Sequence, residues 1–168
     1  RYDLLLLCDS TAEALGPRAQ NAAAQLNAVL ESRRMDPALI GYAHSVLGEI
    51  AMFHGNDALA QAHLEKAQAA DPQTLRIRML HADSLLVLGQ PEAALKALDI
   101  PVETDAFLLR RALAYKQSGQ NERLSDVSKE MDRRIRANFR VGHNGHAREE
   151  ARYFLDVKEN ADKALERA

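Results

Sequence analysis

One spacing of small residues recurs along this chain and restricts it to stacked helical hairpins. His44-x-x-Leu47-Gly48-x-x-Ala51 is followed by Ala60-x-x-x-Leu64, Ala67 and Asp71-Pro72. Moving 34 residues on, Arg78, His81-Ala82, Leu85, Gly89, Ala94 and Leu98 hold the matching positions. A third unit follows after about 30 residues, with Leu108, Arg111-Ala112, Tyr115, Gly119, Leu124 and Ser128. Small residues at fixed phase are what two antiparallel helices need where they cross, because a larger side chain would force the backbones apart. Gly48 and Ala60 therefore read as packing residues.

Composition agrees with an all-α chain. Ala, Leu, Glu, Gln, Lys and Arg dominate the 168 residues, aromatic content is 5% and Trp is absent. These are strong helix formers, and a 46% apolar fraction suffices for a continuous core in which each hairpin covers its neighbours.

Break signals place helices near residues 2–15, 18–34, 37–54, 57–70, 73–88, 91–99, 104–118, 121–137, 146–157 and 160–168. Gly16-Pro17, Asp36-Pro37, Gly55-Asn56-Asp57, Asp71-Pro72, Gly89-Gln90-Pro91, Ile100-Pro101, Gly119-Gln120-Asn121 and Gly142-His143-Asn144-Gly145 supply the turns, caps and missing donors between them. Ten helices make five hairpins in one elongated domain. The loop 138–146 is the segment expected to be most flexible.

The phased units resemble the tetratricopeptide repeat, strongly over 38–100 and less closely over 104–136. The large aromatic usual at the first-helix crossing is replaced by His44, Arg78 and Leu108, and only the first unit ends in the family's proline, Pro72. His146–Ala168, with Arg152-Tyr153-Phe154-Leu155 and Ala161-Asp162-Lys163-Ala164-Leu165, is similar to the last hairpin of bacterial tetratricopeptide proteins. The resemblance implies a right-handed α-solenoid of about five hairpins. Residues 1–36 form a divergent N-terminal hairpin or cap, 37–137 hold three repeats (about 38–72, 73–103 and 104–137), and 138–168 form a loop and a shortened terminal hairpin. Starting at Arg1 without methionine and stopping inside a helix, the chain reads as a piece of a longer one.

If the first helices line the inner surface, as in the family, a partner-binding groove takes Tyr42, Ser45, Glu49, Met52 and Phe53 from the first unit. The second contributes Arg76, Met79, Asp83, Leu86 and Val87, and the third Ala106, Leu109, Leu113, Lys116 and Gln117. Glu49 and Asp83 lie together, with Arg76 and Lys116 toward the edges. A peptide or partner helix would use apolar anchors there while the charges set register. The competing reading makes Met52, Phe53, Leu86 and Val87 helix–helix core. Some tetratricopeptide domains grip a C-terminal carboxylate through Lys and Asn; Ser45, Glu49, Met79 and Asp83 do not reproduce that set, and two acids would repel a carboxylate.

Net charge is −2, which gives no field suited to nucleic acid. Residues 129–152 carry seven Lys or Arg against four acids, either a solvated helix face or a patch for an acidic partner. Cys8 is the only cysteine, so no intrachain disulfide forms, and a buried thiol is the simplest reading. Leu4-Leu5-Leu6-Leu7 is too short for a signal core and Leu7 is not the small residue that precedes a lipidated cysteine. No stretch reaches transmembrane length. Bacterial cytoplasm and periplasm both fit.

His143-x-x-His146-x-x-Glu149 has ligand chemistry for a transition metal, but Gly142 and Gly145 break the helix that would align it; solvent-facing loop histidines are the alternative. His44 and His81 occupy interhelical positions, whereas His54 and His63 look peripheral. No nucleophile comes with a local base, and each glycine is isolated rather than part of a phosphate-cradling loop. No cofactor or metal is expected. A nonenzymatic scaffold or adaptor for a protein or peptide partner is the leading expectation. The alternatives are a docking portion of a larger enzyme or transcription regulator, and a metal-dependent enzyme.

Overall fold

The computed structural model describes residues 19–32, 35–140 and 146–168. Among them are nine α-helices and no strand. The expected helix 2–15, Cys8 and His143 lie outside the described residues. The chain divides into two compact units at Leu88/Gly89, inside the second repeat of the sequence reading.

In the first unit, α1 (Ala19–Ser32), α2 (Pro37–Phe53), α3 (Asp57–Ala70) and α4 (Leu75–Val87) follow one another with short connections. Asp36 accepts from the Ala38 N–H at 2.9 Å, and Pro37 opens α2 without wasting a donor. The chain leaves α2 through Gly55 at φ 69°, a conformation that a Cβ disfavours. The Asn56 N–H then returns to the Ala51 carbonyl at 2.9 Å and the Gly55 N–H to Met52 at 3.0 Å, satisfying two terminal carbonyls. Asn56 also accepts from Leu59 to start α3. At the next break Asp71 collects the N–H groups of Gln73 and Thr74 and the Thr74 hydroxyl at 2.6 Å. The Thr74 hydroxyl and these backbone donors hold the Asp71 carboxyl below its ordinary pKa.

Packing between α2 and α3 is closest at Gly48. A Cβ there would lie 2.6 Å from Leu64 Cγ, and Leu64, Ala60 and Ala67 are fully buried, leaving nowhere to retreat. A second close approach, absent from the sequence reading, occurs at Gly41, where a Cβ would stand 2.8 Å from Asp71 Cβ. On the other side of α2, Ala43, Val46, Leu47 and Ile50 pack with Ala19, Ala22 and Leu26 of α1.

The second unit contains α5 (Pro91–Ala97), α6 (Asp105–Gln117), α7 (Asn121–Arg140), α8 (Ala147–Arg152) and α9 (Ala161–Arg167). Gly119, at φ 69°, repeats the chain reversal, with Gln120 N–H bonded to the Tyr115 carbonyl at 2.9 Å. Arg111 donates to the Leu98 and Ile100 carbonyls at the end of α5, both at 2.9 Å. α7 continues three residues beyond the expected 137, so 138–140 are helical. The expected single helix 146–157 is also interrupted: α8 passes into a π-helical turn, Tyr153–Val157, before the chain turns at Glu159 and re-enters α9.

Tyr153 is fully buried with Leu108, Leu109, Met131 and Ile135. Its hydroxyl lies 3.0 Å from Asp132 Oδ1 and 3.1 Å from the Ser128 carbonyl, so it can donate to either. Burial pushes the phenol pKa upward. Arg134 joins α7 to the start of α6, donating to the Glu103 carbonyl and to Glu130 at 2.6 Å each and to buried Asp105 at 3.3 Å.

Gly48→Leu should overpack the α2/α3 crossing and lower unfolding free energy by about 1–3 kcal/mol, measured by urea denaturation; unchanged stability would contradict the close approach. Tyr153→Phe, which keeps the ring and removes the buried donor, should cost about 0.5–1.5 kcal/mol in the same measurement.

Candidate functional site

Helices α2 and α4 pack side by side within the first unit, and their surface residues repeat in register. Tyr42, Ser45, Glu49, Met52 and Phe53 stand 34 residues before Arg76, Met79, Asp83, Leu86 and Val87. Spacings of seven and eleven residues return nearly to the same side of a helix, which groups Tyr42, Glu49 and Phe53 on α2 and Arg76, Asp83 and Val87 on α4.

The two helices are joined across this face by Arg76. Its guanidinium donates to Glu49 Oε2 at 2.5 Å and to Ser45 Oγ at 3.1 Å, while the Ser45 hydroxyl donates to the Tyr42 carbonyl at 2.8 Å. Arg76 is therefore not an edge charge: it fixes α4 against α2 and offsets one of the two acids. With its members 40% and 29% exposed, the ion pair contributes on the order of 0.2–1 kcal/mol. Its larger consequence is the alignment of the two stripes.

Four of the anticipated groove positions require correction. Ser45 is completely buried and its hydroxyl is already hydrogen bonded, so it offers nothing to a partner. Leu86 is core as well. In the second unit Leu109 is buried against the α7 and Tyr153 cluster. Lys116 instead closes the π-helical turn, donating to the Asp156 carbonyl at 2.8 Å, the Val157 carbonyl at 3.4 Å and Glu159 Oε1 at 2.6 Å. That role was hidden because it depends on a residue 43 positions away and on a turn that lacks an ordinary helical repeat.

Exposed apolar surface remains at the ends of both first helices. Phe53 is 62% and Val87 64% exposed, at matching repeat positions. Tyr42, Glu49, Met52, Arg76, Met79 and Asp83 are half-buried between them and the core. The core reading thus applies to Leu86 and not to Phe53 or Val87.

Histidines join α2, α3 and α4 away from these positions. His44 Nδ1 lies 3.0 Å from His63 Nδ1, so one ring donates and the other accepts, and His63 is an interhelical residue rather than a peripheral one. Burial, then the neighbouring His63 and Lys66, lowers the His44 pKa to about 4. Burial and Lys66 also lower that of His63. His81 Nδ1 donates to Gln68 Oε1, leaving Nε2 buried without a partner; burial lowers the pKa of this ring despite the opposing pull of Glu65.

Four of the seven cations in the basic run 129–152 are ion-paired, partly to acids just outside it. Arg133 and Arg134 converge on Glu130, Lys129 pairs with Asp126, and Arg152 with Asp156. Hydrogen bonds from Arg133, then Arg134, bring the Glu130 pKa to about 2. His146 approaches Asp105 at 3.8 Å, and among the described residues no group of three or more His, Cys, Asp or Glu side chains could hold a metal. No described helix is long and apolar enough to cross a membrane. Comparison with protein-family models, curated proteins and solved structures finds no match.

The histidine pairing has a signed pH consequence. The folded chain protonates His44 near pH 4 and the unfolded chain near 6.5, so the unfolded state holds more protons between them and stability falls as pH drops through that window. Thermal unfolding followed from about pH 7 to 5 should show this decline, and His44→Gln/His63→Gln should make it shallower, with buried His81 supplying what remains.

Proposed function

We propose that this chain is a nonenzymatic protein-interaction module of the tetratricopeptide kind, whose first helices α2 and α4 present a surface to a peptide or partner helix. The observation that carries the reading is the exposed Phe53/Val87 pair at equivalent repeat positions. Around it, Tyr42, Met52 and Met79 supply further apolar contact, while Glu49, Asp83 and Arg76 supply polar register. The recurrent positive φ at Gly55, Gly89 and Gly119 supports the repeat assignment because the same chain reversal follows each first helix.

This surface favours a segment with two apolar anchors rather than a carboxylate-ended tail. Arg76 is occupied by Glu49 and Ser45, so it is a poor receptor for a second carboxylate. An apolar pair flanking a basic residue matches the available chemistry better, with the acids setting orientation more than affinity.

Peptide display against the folded protein, followed by affinity measurement with Phe53→Ser/Val87→Ser, tests the proposal. Both side chains are exposed, so folding should persist while selected peptides bind at least about tenfold more weakly, the equivalent of roughly 1.4 kcal/mol. Failure to enrich peptides, or equal binding to the double variant, would contradict it.

A further inference from the structure

Within the second unit, one cleft has the composition of an anion site. The end of α7, the π-helical turn and α9 line an open cleft of about 460 Å³. Ligand sites commonly occupy roughly 300–1,000 Å³. Ile135 and Phe154 give it apolar surface, while Arg136, Lys158, Lys163 and Arg167 give it four positive charges against Asp132 and Glu166.

The cations divide into two kinds. Lys158 is held by Asp132 at 3.1 Å, and Arg167 by the buried carboxylate of Glu150 at 3.2 Å. Arg136 and Lys163 have no ion-pair partner among the described residues. Lys163 instead rests over the Phe154 ring, its Nζ 5.6 Å from the centroid. Glu166 lines the same cleft and, among the described residues, forms no ion pair with either of them. The cleft therefore keeps two cations outside any ion pair, the planar fork of Arg136 and the compact ammonium of Lys163, the latter over an aromatic ring.

The π-helical turn shapes one side of the cleft. The Lys158 N–H reaches back five residues to the Tyr153 carbonyl at 3.1 Å, and the Asn160 N–H reaches the Phe154 carbonyl at 2.8 Å. This wider turn brings Phe154, Lys158 and Asn160 to one wall, while one helical turn of α9 places Lys163 and Arg167 on another. Tyr153 and Asp132 anchor the turn from below.

We infer that this cleft binds a phosphorylated small molecule, with Arg136 and Lys163 on the phosphate oxygens and Phe154 against its organic part. An arginine fork and a lysine point charge suit a tetrahedral oxyanion that carries more than one negative charge. The inference is independent of peptide binding by α2 and α4.

The test is calorimetric titration of the full chain with inorganic pyrophosphate at low ionic strength, run beside citrate and repeated on Arg136→Glu/Lys163→Glu and on Arg148→Glu. Saturable pyrophosphate binding is expected, weakened at least about tenfold in the double variant and little changed in Arg148→Glu. Circular dichroism checks folding, and Arg136→Gln/Lys163→Gln replaces the charge reversal if that variant unfolds. Absence of saturable binding, equal loss in Arg148→Glu, or retention in the double variant would overturn the site; citrate binding as tightly as pyrophosphate would overturn its phosphate preference.

Discussion

The first unit depends on how closely α2 and α3 can approach at Gly48. Because a Cβ at residue 48 would stand 2.6 Å from Leu64 Cγ, any larger residue there forces Leu64 or the helices to shift, and that contact sets the rotation of α2 about its axis. Once the rotation is fixed, Val46, Leu47 and Ile50 face the α1 side of the core with Tyr42 packed against them, while Glu49 stays half-buried and Phe53, at the end of α2, exposed. The surface proposed for partner binding is thus a by-product of a packing constraint. Arg76 then transfers the same rotational order to α4 by reaching Ser45 and Glu49.

Much of this was legible because it is local. Asp36-Pro37, Asn56, Asn160 and the glycines after α2 and α6 act within a few residues, where cap and turn chemistry decides the backbone. Helix boundaries consequently fall within about two residues of expectation over most described elements. The exceptions are instructive. α7 outlasts the pattern because Asn138 finds a long-range partner in Glu150, and α8 passes into a π-helical turn because Tyr153 is drawn into the α6/α7 core.

Side-chain roles were legible only where the repeat itself dictated them. Helical phase grouped the α2 and α4 surface residues, but phase alone cannot tell a buried hydroxyl from an exposed one, which is why Ser45 was misplaced. Lys116, His63 and Gly41 were missed for a common reason: each answers to a neighbour on another element, respectively the Asp156 and Val157 carbonyls, His44, and Asp71. The charge count of 129–152 likewise exposed the basic excess without revealing that Glu130 gathers two arginines or that Arg136 stands apart from them.

Coupling between residues 48 and 64 tests the central constraint most directly. In a double-mutant cycle of Gly48→Ala and Leu64→Ala, measured by urea unfolding, truncating Leu64 should make room for the new methyl, so the two costs should be non-additive by roughly 0.5–3 kcal/mol. Additivity within about 0.5 kcal/mol would mean that the helices do not meet there, and the registers of α2 and the surface it carries would lose their cause.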